Sequence, residues 1–211
     1  MAKAPRPGLA KTRLIPALGA EGAAALAGRL LDHALGQALA AGLGPVDLCC
    51  APDAADPTFQ RQAGRAGLVL SLQGEGDLGE RMQRAFARWL TAEAGVLMMG
   101  TDIPGLLAPV LQQAAAALQS TDAVFVPATD GGYALIGLRR PAPTLFADMP
   151  WSTATVMALT RQRLAAAGLR HIELTPLPDI DEPADLACLP PGWLQGCLTG
   201  CLTGSAPGGP A

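Results

Sequence analysis

At 211 residues the chain is long enough for one α/β domain, and 50% hydrophobic residues with only 4% aromatic ones leave Leu, Ala and Val to fill its core. A net charge of −3 argues against a broad nucleic-acid surface, which needs an excess of Lys and Arg. No continuous apolar run approaches the roughly 20 residues that cross a bilayer, and charges and prolines replace a signal-peptide core at the start, so a cytoplasmic protein without membrane or nucleic-acid partners is expected.

The elements follow in chain order. Residues 3–14 form a basic loop rich in proline. Leu26, Leu30, Ala34, Leu35 and Ala38 recur at helical spacing and predict a helix over 20–41, closed by Gly42 and Gly44. A short apolar strand at 46–51 ends at Pro52-Asp53, a weaker helix covers 56–66, and a second strand covers 68–72. Asp77 is placed to cap the next helix, with Glu80 completing a capping box, and that helix runs to about 94. A fully apolar strand at 96–99 empties into a turn at Asp102. A helix over 106–119 tolerates Pro109 in its first turn. Strands at 123–127 and 133–138 flank the Asp130 turn. A helix follows Trp151-Ser152-Thr153 and runs to about 168, and a strand at 172–174 leads to Asp179 and Asp181, with a short helix over 183–189. Residues 1–191 read as one domain and 192–211 as a Gly/Pro/Ser-rich tail. Alternating strands and helices imply a largely parallel sheet covered by helices on both faces, with ligands beyond the carboxyl ends of the strands. Such a domain normally offers a strand before its first loop, yet only Met1 and Ala2 precede Lys3.

Five cysteines, Cys49, Cys50, Cys188, Cys197 and Cys201, cannot all pair within one chain. Cys49 and Cys50 read as small buried hydrophobes in a strand. His33 and His171 are the only imidazoles, and no zinc-like grouping surrounds them.

Charge is scarce, at 16% of residues, and much of it stands in turns after apolar runs. Lys11, Thr12 and Arg13 follow the Pro7-Gly8 turn. Their cations and hydroxyl suit phosphate oxygens, and a solubilising basic loop is the alternative; Lys3 and Arg6 are weaker candidates. Asp102, behind Thr101, can hold a divalent cation against phosphates or cap the helix that follows. Asp77 suits capping better than ligand contact. Asp130 can bind a ligand or close its own turn, and Gly131 and Gly132 allow backbone to approach a ligand. Tyr133 and Trp151 can stack on a ring or fill core, while Ser152 or Thr153 suits a helix cap more than a ligand contact. Asp181 can supply a second metal carboxylate or cap the helix at Pro183.

The segments Lys3-Ala4-Pro5, Lys11-Thr12-Arg13-Leu14, Gly76-Asp77-Leu78-Gly79-Glu80-Arg81-Met82, Gly100-Thr101-Asp102-Ile103-Pro104, Asp130-Gly131-Gly132-Tyr133, Trp151-Ser152-Thr153 and Asp179-Ile180-Asp181 resemble the bacterial DUF2064 family, also described as radical-SAM/selenodomain-associated transferase 1. The resemblance covers about 3–189. It implies the nucleotide-diphospho-sugar transferase, or glycosyltransferase-A-like, fold: three α/β/α layers around a mostly parallel sheet. Lys11-Thr12-Arg13-Leu14 also resembles the nucleotide loop of phospholactate guanylyltransferases.

By that resemblance Pro7, Gly8, Lys11, Thr12, Arg13, Asp77 and Thr101 belong to nucleotide binding. Lys11, Arg13 and Asp102 would be catalytic, and Asp102 and Asp181 would hold Mg²⁺ or Mn²⁺. Asp130, Gly131, Gly132, Tyr133, Trp151, Ser152 and Thr153 would line the acceptor side. The sequence departs from the family in lacking most of the first strand. The expected activity is nucleotidyl transfer from a nucleoside triphosphate to a small phosphorylated or hydroxylated acceptor. Glycosyl transfer from a nucleotide sugar, or nucleotide binding without catalysis, are the alternatives.

Overall fold

Apolar runs bounded by Gly, Pro or Asp become strands in the computed structural model, which describes residues 1–197. The order is β1 (Ala2–Lys3), a 3-10 turn (Thr12–Leu14), α1 (Ile15–Ala40), β2 (Val46–Ala51), α2 (Pro57–Gln60), β3 (Leu68–Leu72), α3 (Leu78–Trp89) and β4 (Val96–Met99). Then come α4 (Ala108–Leu118), β5 (Ala123–Pro127), β6 (Tyr133–Leu138), a 3-10 turn (Pro143–Leu145), α5 (Val156–Ala166), β7 (His171–Glu173) and a 3-10 helix (Pro183–Cys188).

Strands β1, β2 and β3 pair in parallel in that order. The second sheet runs β4-β6-β5-β7, with β7 parallel to β5 and β6 antiparallel to both its neighbours. Its antiparallel strand has a local cause. The Asp130-Gly131-Gly132 turn sends the chain straight back from β5 into β6, where a helical crossover would have kept the strands parallel. The Met1 amino group donates to the Met99 carbonyl at 2.9 Å, so the β1 edge of one sheet meets the β4 edge of the other.

The side chains of β5 alternate between two layers, as a pleated strand requires. Ala123 and Phe125 pack with Met82 and Phe86 of α3 and with Met157 and Leu164 of α5. Val124 and Val126 pack with Leu111, Ala114 and Leu118 of α4. Helices therefore cover both faces, giving the expected α/β/α layers.

Five strand spans match their sequence expectations, the strand expected at 172–174 lies one residue earlier at His171–Glu173, and the helix bounds depart from theirs. Helical geometry begins at Ile15, before the expected 20–41, and breaks at Gly19 (φ 70°, ψ 168°). Only Pro57–Gln60 of the expected 56–66 is helical, because left-handed glycines at 64 and 67 (φ 95° and 79°) turn the chain towards β3. The helix over 183–189 is of the tighter 3-10 kind. The first strand is two residues long, Ala2–Lys3, and takes in the start of the expected 3–14 loop. Counted with the turn before it, residues 12–40 are long and apolar enough to cross a membrane by length and hydropathy, contrary to the reading of apolar runs alone. Nine residues of α1 are buried within the protein. Cys49, Cys50, Cys188 and Cys197 are free thiols; Cys201 and the tail beyond 197 lie outside the described residues.

Candidate functional site

Two buried apolar side chains bring the charged turns together. Leu14 and Ile180 are both fully buried in one cluster with Leu18, Leu26 and Leu30 of α1. Burying two such side chains is favourable by about 1.5–3 kcal/mol each. The residues beside them in sequence, Lys11, Arg13 and Asp181, are thereby delivered to one place. The main chain adds a further link: the Ile180 N–H donates to the Asp102 carbonyl at 3.0 Å.

At that point the Lys11 ammonium lies 2.9 Å from Asp102 Oδ2 and 3.4 Å from Asp181 Oδ1. Arg13 Nη1 lies 2.8 Å from Asp181 Oδ2 and 3.9 Å from Glu182 Oε1. The lysine side chain is 11% exposed, against 36% for Asp102, 39% for Asp181 and 59% for Arg13, so it is the most buried member of a partly exposed cluster. Lys11 itself stands in left-handed backbone (φ 48°), uncommon for a residue with a side chain.

The loop carrying it is pinned behind. Arg6 Nε donates to Asp56 Oδ2 at 2.6 Å, and Asp56 is only 3% exposed. Burial alone would raise the Asp56 carboxyl. The Arg6 hydrogen bond and the Thr58 amide overcome it and hold the group below the usual carboxylate range. Asp56 escaped the sequence reading, although its place before Pro57 marks it as a helix cap, a role it also fills.

Capping is settled for both aspartates. The residue at the start of α4 is Leu107, and Asp102 turns to Lys11 instead. In the 3-10 helix at Pro183–Cys188, Glu182 and Asp185 form the capping box, which frees the Asp181 carboxylate for the two cations. Asp77 does cap α3: its Oδ1 accepts from the Glu80 N–H, and Glu80 Oε2 accepts from the Asp77 N–H. Among the described residues no contact joins Asp77 to the Lys11 cluster. Pro7, Gly8, Thr12 and Thr101 lie along the same loops, with Gly8 in left-handed backbone (φ 76°).

A second group of residues assembles beside the first. The Thr129 N–H donates to the Leu177 carbonyl, tying the Asp130 turn to the strand that leads to Asp181. Asp130 closes its own turn through the Gly132 N–H at 2.8 Å. Gly131 (φ 94°) packs so tightly on Ala154 that a Cβ there would lie 2.3 Å from the Ala154 oxygen. That contact places Trp151, Ser152 and Thr153 against the turn. Tyr133 meets Trp151 edge-on at 6.4 Å between ring centroids, and Trp151 abuts Gly79 of α3. Burial pushes the Tyr133 phenol well above its ordinary value.

Neither Ser152 nor Thr153 caps α5, contrary to expectation. The Thr153 hydroxyl bonds the Pro150 carbonyl and Thr155, and Ser152 sits at φ 62°. Asp179, absent from the sequence-based site, lies between the groups. Burial first, and then the charges of Asp130 and Asp102, raise its carboxyl above the usual range.

Among the described residues no group of three or more His, Cys, Asp or Glu can hold a metal. Two carboxylates still fit one divalent cation of the Mg²⁺ type, which takes one or two protein carboxylates and completes its shell with phosphate and water oxygens. Asp102 and Asp181 already converge on one cation, the Lys11 ammonium.

Comparison with known proteins agrees with this architecture. No curated protein matches the chain. Among solved structures, a candidate nucleotide-diphospho-sugar transferase from Desulfovibrio desulfuricans G20 is 33% identical, with a TM-score of 0.78 over 86% of this chain and 80% of that one. CMP:2-keto-3-deoxy-manno-octonic acid synthetase, solved with CTP, has a TM-score of 0.51 at 15% identity over 75% of this chain and 85% of that one. Rv0371c from Mycobacterium tuberculosis H37Rv has a TM-score of 0.54 at 18% identity over 79% and 83%. The fold is that of the nucleotide-diphospho-sugar transferases. The DUF2064 model, described as an uncharacterized protein conserved in bacteria, matches residues 34–153. With that match over more than half its length, the chain belongs to the DUF2064 family.

Proposed function

We propose that the protein is a metal-dependent transferase that moves a nucleotidyl group from a nucleoside triphosphate to a small phosphorylated or hydroxylated acceptor. The observation that carries this reading is the closure of Lys11 and Arg13 on Asp102 and Asp181. Two cations and two carboxylates in one partly exposed cluster form a set that can trade its internal ion pairs for phosphate and metal. Asp102 and Asp181 would hold Mg²⁺ or Mn²⁺, which when bound draws charge from phosphate oxygens.

The chain's own residues do the rest. Lys11 and Arg13 leave their carboxylates for the triphosphate and offset the charge that grows on the departing pyrophosphate. An acceptor oxygen, approaching from the side of Tyr133 and Trp151, bonds to the α-phosphorus while the bond to the β-phosphate oxygen breaks. A phosphate acceptor needs no proton removed; a hydroxyl acceptor gives its proton to a neighbouring base or to water.

The 33% identity to a candidate nucleotide-diphospho-sugar transferase favours a second reading, glycosyl transfer, in which the same residues would neutralise a nucleoside diphosphate leaving group. Calorimetry with the four nucleoside triphosphates and with UDP- and GDP-sugars, in Mg²⁺ and then EDTA, separates the two. Metal-dependent triphosphate binding, followed by pyrophosphate release with an acceptor, is the expected result. Binding of nucleotide sugars alone would replace the first reading by the second, and binding of neither would remove both.

A further inference from the structure

The strands β7 and β3 each leave one edge unpaired, and the two edges differ in kind. β7 carries His171 and Glu173 within its three residues, and Arg161 pairs with Glu173 at 2.7 Å, so charge guards that edge. β3 has β2 as its one partner, and its sequence, Leu-Val-Leu-Ser-Leu, holds neither a charge nor a proline. Two of the six exposed large apolar side chains among the described residues stand on it, Val69 at 44% and Leu72 at 50%.

The register with β2 decides which main-chain groups of β3 face outwards. The Val46 N–H donates to the Gly67 carbonyl, and the Gln73 N–H donates to the Cys50 carbonyl. The groups of Val69 and Ser71 therefore turn to β2, and those of Leu68, Leu70 and Leu72 turn to the free edge. Two of the outward groups are already used. The Leu68 N–H donates to the Arg65 carbonyl at 3.1 Å, and the Leu72 carbonyl accepts from Arg88 Nη2 at 3.0 Å. The Leu68 carbonyl, both groups of Leu70 and the Leu72 N–H are left to solvent.

We infer that β3 docks on β3 of a second copy of this chain, antiparallel, about a twofold axis through Leu70. Leu70 and the partner's Leu70 then exchange both their bonds, and the Leu72 N–H reaches the partner's Leu68 carbonyl. One further bond would belong to that ladder, from the Leu68 N–H to the partner's Leu72 carbonyl. It joins the two groups that Arg65 and Arg88 already satisfy, so self-pairing leaves no outward group of Leu68–Leu72 without a partner. Charge agrees with the same axis. Arg65 precedes the strand and Glu75 follows it, so the twofold sets Arg65 beside the partner's Glu75. The pairing also closes on itself. The edges at the outside of the dimer are the guarded β7 strands, and association stops at two copies. Nothing in this inference depends on the nucleotide reading.

Sedimentation velocity on the full chain, from micromolar to millimolar concentration, tests it. A dimer should appear as concentration rises, and amide exchange at Leu70 and Leu72 should slow in step with it. Val69→Lys places a cation at an exposed position on each side of the axis and should weaken the dimer by about 10-fold, through two disturbed cross-strand pairs. Its Tm in dilute solution should match that of the parent chain. Arg65→Glu should also weaken the dimer, and Arg65→Glu combined with Glu75→Arg should restore it. A monomer across the whole range would overturn the inference. So would a dimer that keeps its affinity in Val69→Lys and Arg65→Glu, with the Leu70 and Leu72 amides exchanging at one rate at every concentration, because that dimer forms through another surface.

Discussion

Lys11 is one ammonium shared by two carboxylates, held in a backbone conformation that costs strain. Strained residues of this kind cluster where geometry is functional. The proposed exchange of Lys11 from aspartate to phosphate has two measurable sides. Lys11→Met should lower transferase turnover by on the order of 100-fold, since one lost charge-stabilising donor costs that much. In the absence of nucleotide it should also tighten Mn²⁺ binding, because nothing then competes for Asp102 and Asp181. Weaker or unchanged Mn²⁺ binding in calorimetry would argue that the metal does not replace the lysine.

Asp56 offers a pH test at the same scale. Its folded pKa is depressed, so its contribution to stability is complete above the unfolded value of about 3.9 and is lost as pH falls through the folded pKa. Asp56→Asn should be less stable near neutrality yet show a flatter acid limb below about pH 4, read from urea midpoints against pH. Parallel acid limbs would place the Arg6 pairing outside the stability of the fold.

Among elements, α3 and the β5–β6 hairpin make separate demands. Asp77→Ala removes one half of the α3 capping box and should cost about 1 kcal/mol in chemical denaturation. Gly131→Ala is harsher. It places a Cβ against the Ala154 backbone at positive φ and should cost about 2 kcal/mol or more while pulling Trp151 from Tyr133, visible as a change in indole fluorescence.

These two elements also show what the sequence makes legible. The capping box, and strands such as Val96–Met99 and Ala123–Pro127, are local: an apolar run and its bounding turn residues suffice. Helix ends are less legible, because Ala-rich stretches propagate equally well through several stops and packing chooses among them. The charged turns were recognisable as a set, but their pairing was not. Lys11 finds Asp102 across 91 residues and Asp181 across 170, and no local pattern encodes a partner at that separation. The choice between cap and ligand at Asp181 depended on Glu182 and Asp185 taking the capping work, a division of labour visible only once the turn is built.

At the scale of the molecule, the last described residues lie across α1. Arg29 donates to the main-chain carbonyls of Gly192, Trp193 and Gln195, His33 meets the Trp193 ring edge-on at 5.0 Å, and Cys197 is buried. Gly22 leaves room for this segment, since a Cβ there would lie 2.1 Å from the Cys197 oxygen. Gly22→Ala therefore sets two effects against each other. The helix gains up to about 1 kcal/mol from the better helix former, and the segment loses its seat. Faster chymotryptic cleavage at Trp193 with little change in Tm is expected; cleavage at the wild-type rate would show that the segment does not depend on that contact.

The hydrogen bond from the Ile180 amide to the Asp102 carbonyl acts as a ruler for the two carboxylates. It is made by main chain, so it is indifferent to which side chains surround it. The hairpin and the Trp151 loop hang from the same strand through other bonds. Substitutions there would recut the proposed acceptor side while the distance between the two aspartates stays as it is. Under the proposed function, a lineage built on this chassis would change what it modifies without relearning how to hold a phosphate.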